Sequence, residues 1–225
     1  MNDSYGFLNS FLTEERKKRI KSVASERTNY LTVVIEDIYH SHNASAIIRI
    51  CDCFGIQNLY VIENTKRNRV NNQVTQGCAK WVTIKYYNEN DNNTEACLSD
   101  LKTEGYLIVT TTINSIDAFT PETHPIENKK LAICFGSEEL GLSPEAIAMA
   151  DSHLTIPTYG FSQSLNISTA ASTILHIMTS RLKNSSIAWN LTAKEYDELV
   201  IEWTKNSVKN HEMLLKRFHE NNFPL

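Results

Sequence analysis

Apolar positions along the chain follow two rhythms. Short runs rich in β-branched and aromatic residues at 31–36, 58–62, 82–86, 106–111, 131–135 and 153–156 read as strands. Between them lie stretches with helical spacing. Segments 45–54 and 94–104 are followed by Gly55 and Gly105, where a helix commonly ends on a left-handed glycine. Segment 144–150 opens with Ser143 as cap and Pro144 at the first helical position, where a missing N–H costs nothing. Segment 164–182 places apolar residues at 167, 170, 171, 174, 175 and 178, one stripe down a helix. Strand alternating with helix predicts an α/β domain with a mostly parallel sheet, spanning residues 30–183.

Two extensions flank that core. In the first, 1–29, Thr13 precedes Glu14, Glu15 and a basic run, which predicts a capped helix. In the second, 184–225, Tyr196, Leu199, Val200, Trp203, Val208, Leu214 and Phe218 recur among alternating charges. They predict a long amphipathic helix over 192–220, with a break near Asn206. The Asn-rich run 88–93 reads as a loop between a strand and a helix.

Composition narrows the classes. The 225 residues are 41% hydrophobic and 21% charged, ample for a core and unlike a disordered or collagen-like chain. No apolar run reaches membrane-spanning length, and the first ten residues lack the features of a signal peptide, so a cytoplasmic protein is expected. The five cysteines (51, 53, 78, 97 and 134) form no CxxC pair and no zinc ligand set; buried thiols in a reducing compartment are expected, and no metal. Of the seven glycines, no two are closer than five residues, which excludes the GxGxxG turn, and the GxxxxGK[ST] phosphate loop is excluded because Gly141, five residues after Gly136, is followed by Leu142. A nucleotide-like cofactor would need another architecture.

The formal net charge of -4 hides a strong asymmetry. Residues 14–27 hold six basic and three acidic groups, and residues 64–88 hold Lys66, Arg67, Arg69, Lys80 and Lys85 with no acid. Residues 89–180 hold three basic and twelve acidic groups. Such blocks are either solvated faces or, with Tyr30, Trp81 and Tyr86 close by, a phosphate-binding surface.

Three motifs carry candidate chemistry. His42-Asn43-Ala44-Ser45-Ala46-Ile47-Ile48-Arg49 follows a strand ending in Glu36-Asp37, and Arg49 is the one basic residue between Arg27 and Lys66. An arginine amid apolar helix positions needs an acidic side chain or a phosphate as partner. Strand 131–135 then runs into Gly136-Ser137-Glu138-Glu139-Leu140-Gly141, a tight exit at the sheet end where α/β folds place ligands. Last, Ile156-Pro157-Thr158-Tyr159-Gly160-Phe161-Ser162-Gln163-Ser164-Leu165-Asn166 joins a strand to a polar-capped helix.

In this order the three motifs resemble the signatures of the SPOUT superfamily, and within it TrmH-type RNA 2′-O-ribose methyltransferases. The resemblance implies a C-terminal trefoil knot, against the usual topology rules, with S-adenosylmethionine as cofactor and a homodimer whose sites are completed by the second subunit. Matched by motif, it implies a cofactor pocket of Thr110, Thr111, Gly136, Ile156 and Leu165. It further implies Arg49 as the catalytic arginine, supported by Asn43, Glu138, Ser164 and Asn166. With terminal helices as short as those of TrmH enzymes, the resemblance further implies tRNA as substrate, at guanosine 18 of the D-loop, with Arg16, Lys17, Lys18, Arg19, Lys66, Arg67 and Arg69 as the phosphate track. Methylation of ribosomal RNA or another tRNA position, and a catalytically silent RNA-binding homologue, stay open. A hydrolase is disfavoured by the lack of GxSxG and HExxH.

Overall fold

The computed structural model describes residues 3–65, 77–90, 92–113, 117–127 and 129–220. In chain order its elements are α1 (Asp3–Asn9), α2 (Glu14–Ala24), β1 (Leu31–Glu36), α3 (Ser41–Phe54), β2 (Asn58–Ile62), a 3-10 turn (Cys78–Lys80) and β3 (Thr83–Tyr87). There follow α4 (Asn93–Thr103), β4 (Tyr106–Thr111), β5 (Lys130–Phe135), α5 (Pro144–Ala148), β6 (Ser152–Leu154), α6 (Ile167–Lys183), α7 (Ala193–Ser207) and α8 (His211–His219). The chain divides into two compact units, Thr28–Trp189, and Met1–Arg27 together with Asn190–Leu225.

The larger unit is built on a six-stranded sheet of order β3-β2-β1-β5-β4-β6 in which every pairing is parallel. All six residues of β1 are buried, as a parallel strand covered on both faces requires. Strand alternation divides its side chains. Val33 and Ile35 pack with Ile47, Ile48 and Cys51 of α3 and with Ile174, Leu175 and Met178 of α6. Val34 faces the other way, with Cys97, Leu98 and Leu101 of α4 and Ala146 of α5. Strand order reverses between β1 and β5, since β1 leads outward to β2 and β3 while β5 leads to β4 and β6. The crevice at the carboxyl ends of such a pair is where α/β sheets bind ligands.

In the smaller unit, Ile20 and Ala24 of α2 and Leu199, Val200 and Trp203 of α7 are buried. The Arg27 guanidinium lies 5.0 Å from the centre of the Trp203 ring, a favourable cation–π arrangement when desolvated. Thr13 caps α2 by accepting from Arg16 N, and Thr192 with Glu195 forms a reciprocal capping box on α7. Phe7 stacks on Phe218 at 4.4 Å, joining α1 to α8.

Several local details differ from the sequence pattern. The helix expected from residue 45 begins at Ser41, and its N-cap His40 makes no side-chain cap bond. Its first turn is held instead by distant partners described below. The helix expected from residue 164 begins at Ile167, because Asn166 caps it by accepting from Ser168 N. The C-terminal amphipathic stretch is two helices: Val208 is extended and Asn210 takes a positive φ of 56°. The short α1 and the 3-10 turn carried no periodic signal. Cys51, Cys97 and Cys134 are buried, but Cys53 is exposed and Cys78 half-buried. Two residues along a helix rotate by roughly 200°, so Cys53 faces away from the core that holds Cys51.

Candidate active site at the β1–β5 switch point

Glu138 is the centre of the site. Asn43 Nδ2 donates to Glu138 Oε1 at 2.6 Å, and the backbone N–H groups of Tyr39 and His40 donate at 2.8 and 3.3 Å. Asn166 Nδ2 in turn donates to Asn43 Oδ1 at 3.4 Å. One hydrogen-bonded chain therefore joins all three motifs, which are far apart in sequence. Burial pushes the Glu138 carboxyl up, but the bonds from Asn43, Tyr39 and His40 outweigh it and hold the group below its ordinary value. The same bonds fix the entry to α3, since Tyr39 and His40 lie just before its first residue and Asn43 lies in its first turn.

The loop carrying Glu138 is tightly folded, and Gly136 is what permits it. Ser137 and Gly141 exchange two backbone hydrogen bonds of 2.9 and 3.0 Å, folding the loop back on itself. A Cβ on Gly136 would run into the backbone of Gly141 and Leu142. Gly141 itself has a φ of +72°, a region open mainly to glycine. Behind the loop, the Glu36 carboxylate, buried at the end of β1, accepts from Ser143 N and Ser143 Oγ at 2.8 Å each and from Thr94 Oγ1. It fastens the loop exit to the centre of the sheet.

A cavity of about 400 Å³ opens beside this loop. Thr111, Gly136, Glu138, Ile156, Ser164, Leu165 and Asn166 all line it. Asn43 adjoins it through its bonds to Glu138 and Asn166. Thr110 does not line it: strand alternation turns its side chain the other way, where Thr110 Oγ1 meets His153 Nδ1 at 2.6 Å. Thr112 lines the cavity too, with a buried Oγ1 that has no hydrogen-bond partner among the described residues. Sequence reasoning missed Thr112; its position at the end of a strand beside the switch point was the available signal.

Arg49 is not brought to this cavity within one chain. Six residues turn an α-helix by roughly 600°, which leaves Arg49 about 240° around from Asn43. It is exposed, and among the described residues it has no hydrogen bond or ion pair. Its neighbour Cys78 is pushed up to about 11 by burial, with Asp52 and Cys53 acting in the same sense and the guanidinium opposing them. An acidic partner, one of the two alternatives left by the sequence, is therefore not found among the described residues.

Of the basic residues read as an RNA track, Arg16 donates to Ser207 Oγ at 3.4 Å, and Lys17 pairs with Glu14 at 2.7 Å. Lys18 and Arg19 are exposed on the same helix. Lys66, Arg67 and Arg69 lie outside the described residues. Among the described residues no cluster of three or more His, Cys, Asp or Glu is arranged to hold a metal, and no helix is long and apolar enough to cross a membrane.

Residues 30–176 match the model of the SpoU rRNA Methylase family. The chain belongs to the SpoU methylase family. Its relatives there include the tRNA (guanosine(18)-2′-O)-methyltransferase of Borreliella burgdorferi, 38% identical over 213 residues, which are 93% of this chain and 93% of that protein. The Thermus thermophilus protein of the same name is 34% identical over 163 residues, covering 72% of this chain and 81% of its own. Among solved structures, the TrmH/SpoU tRNA modifying enzyme of Aquifex aeolicus superposes with a TM-score of 0.74 at 32% identity, covering 87% of this chain and 98% of that one. The matched SpoU region includes β1 to β6 and therefore all three motifs of the site.

Proposed function

We propose that this SpoU-family protein is an S-adenosylmethionine-dependent RNA methyltransferase acting on the ribose 2′-hydroxyl, with guanosine 18 of tRNA as its target. The relatives that align with nearly its whole length carry that activity in their names. The observation that carries the reading is the Asn166–Asn43–Glu138 chain at the edge of a cavity whose only charged lining residues, among those described, are Glu138 and Glu139. A phosphate-bearing cofactor would need cations there; a sulfonium cofactor is itself a cation and suits a carboxylate-lined wall.

The fit extends to shape. Ile156 and Leu165 offer apolar contact to flat rings, and the buried Thr112 Oγ1, with no hydrogen-bond partner among the described residues, can bond a polar group of the cofactor. S-adenosylmethionine, when bound, supplies an electrophilic methyl group on positively charged sulfur. Thr111, Gly136, Ile156 and Leu165 would hold it, while Thr110 supports the strand end through His153. Ser164, Asn166, Asn43 and Glu138 position the acceptor ribose. Arg49 acts from outside this wall. A guanidinium stays protonated in proteins, so its part is to orient the ribose and its 3′ phosphate, with the phosphate assisting proton removal.

This reading carries three further assignments. The chain works as a homodimer, in which the exposed Arg49 reaches a site completed by a second copy. The methyltransferase core of 30–183, flanked by helical extensions 1–29 and 184–225, carries the C-terminal trefoil knot typical of SPOUT proteins. The protein acts in the cytoplasm, with exposed Lys18 and Arg19 and the 64–88 block contributing to RNA binding. Replacement of Arg49 by Ala tests the chemistry: methyl transfer is lost while S-adenosylmethionine binding persists. Near-normal turnover by this variant refutes the role given to Arg49.

A further inference from the structure

Two carboxylates clasp the switch point, and they do so in opposite directions. Glu138, on the loop that leaves β5, accepts from Tyr39 N, His40 N and Asn43 Nδ2 on the segment that leaves β1. Glu36, the last residue of β1, accepts from Ser143 N and Ser143 Oγ, at 2.8 Å each, where the β5 loop ends. Each segment therefore gives one carboxylate and receives the other. Asp37 and Ile38 alone separate Glu36 from Tyr39, and Asp37, with a φ of 46°, turns the chain between them. The paired backbone bonds between Ser137 and Gly141 tie the two sides of the β5 loop together, so a displacement at Ser143 reaches Glu138.

The groups around Glu36 call for a carboxylate. Its Oε2 takes the bond from Ser143 N, and its Oε1 takes those from Ser143 Oγ and Thr94 Oγ1. Both hydroxyls already accept a bond, Ser143 Oγ from Ala146 N at 3.1 Å and Thr94 Oγ1 from Asn64 Nδ2 at 2.8 Å, and so they donate to Glu36. A carboxylate accepts on both oxygens, whereas an amide of the same shape must turn its NH2 group toward one of these donors. The Glu36 side chain is buried, so solvent does not relieve such a mismatch.

We propose that Glu36 is a positioning residue for methyl transfer: through Ser143 it seats the β5 loop so that Glu138 meets Asn43, and with them the acceptor ribose. The assignment rests on the ribose-methylation reading and extends the site to a residue that does not line the cofactor cavity. Glu36 touches neither cofactor nor ribose. Its contribution is the alignment of two loops that carry the groups that do.

The test uses the full-length protein and measures kcat and KM for tRNA at saturating S-adenosylmethionine, with cofactor affinity taken separately by calorimetry. Glu36→Gln lowers kcat about 10- to 100-fold while KM and cofactor affinity stay within about threefold, the pattern of misplaced groups and not of lost binding. Ser143→Ala leaves the buried carboxylate in place and removes the hydroxyl bond. It shows the same split at about 3- to 10-fold, and Ser143→Thr, which keeps the hydroxyl, recovers most of the loss. A double-mutant cycle separates positioning from a general structural role. In a Glu138→Gln background, where the group being placed is already altered, Glu36→Gln or Ser143→Ala lowers kcat by less than about twofold more. Equal losses in both backgrounds, or near-wild-type kcat for Glu36→Gln and Ser143→Ala, overturn the positioning role and leave the ribose-methylation reading intact. Absence of 2′-O-methyl transfer by the wild type to any RNA removes both.

Discussion

Replacing Gly136 by Ala probes the loop on which every part of the site depends. The added methyl would meet the backbone of Gly141 and Leu142, not a side chain that can swing away. To admit it, the loop must open, straining or breaking the 2.9 and 3.0 Å bonds between Ser137 and Gly141. Overpacking of this kind costs about 1–3 kcal/mol and each lost backbone bond about 1 kcal/mol, so a closed loop is disfavoured by about 2–4 kcal/mol. Cofactor affinity falls with the population of the closed loop, by about 30- to 900-fold. Calorimetric titration with S-adenosylmethionine measures it directly. Gly141→Ala is the internal control. Its Cβ meets nothing within 4 Å, but its φ of +72° makes any side chain strained. The cost there is about 1–2 kcal/mol, or about 5- to 30-fold in affinity. The order of the two variants matters more than either value. Wild-type affinity for Gly136→Ala, or a larger loss for Gly141→Ala, refutes the account of the loop.

Other outcomes follow from the same geometry. The carboxyl of Glu138 titrates below its ordinary value because the folded site stabilises the charged form, so this contribution is complete above the ordinary carboxylate range and lost as pH falls through the lowered value. Glu138→Gln therefore melts closer to wild type at acidic pH than at neutral pH, and a constant difference in melting temperature across pH contradicts this. Charge reversal at Lys18 and Arg19 weakens tRNA binding and reduces its dependence on salt, measured by filter binding over a salt series. An unchanged salt slope makes this face of α2 a solvated surface only.

Much of the fold was legible because parallel strands buried on both faces read as continuous apolar runs. β1, β2 and β4 lie where the β-branched runs predicted, and Gly55 ends α3 with a φ of 76°. The start of α3 was not legible, because its first turn is stabilised by Glu138, about ninety-five residues away in sequence. The site was legible as three motifs but not as one network. Nothing local shows that Asn43 and Asn166 meet, or that Thr110 and Thr111, adjacent in sequence, face opposite sides of the sheet. The exposed side of Arg49 follows from helix geometry once Asn43 is placed, whereas its partner does not. The net charge of -4 concealed the RNA question, which the segment charges reopened.

The central claim is that this SpoU-family chain methylates a ribose of tRNA. The direct measurement is incubation of the purified protein with labelled S-adenosylmethionine and total tRNA and ribosomal RNA from cells lacking the enzyme, followed by nuclease mapping. Label in tRNA as 2′-O-methylguanosine at position 18, absent with Arg49→Ala, is the predicted result. Label confined to ribosomal RNA, or on a base instead of a ribose, would contradict it.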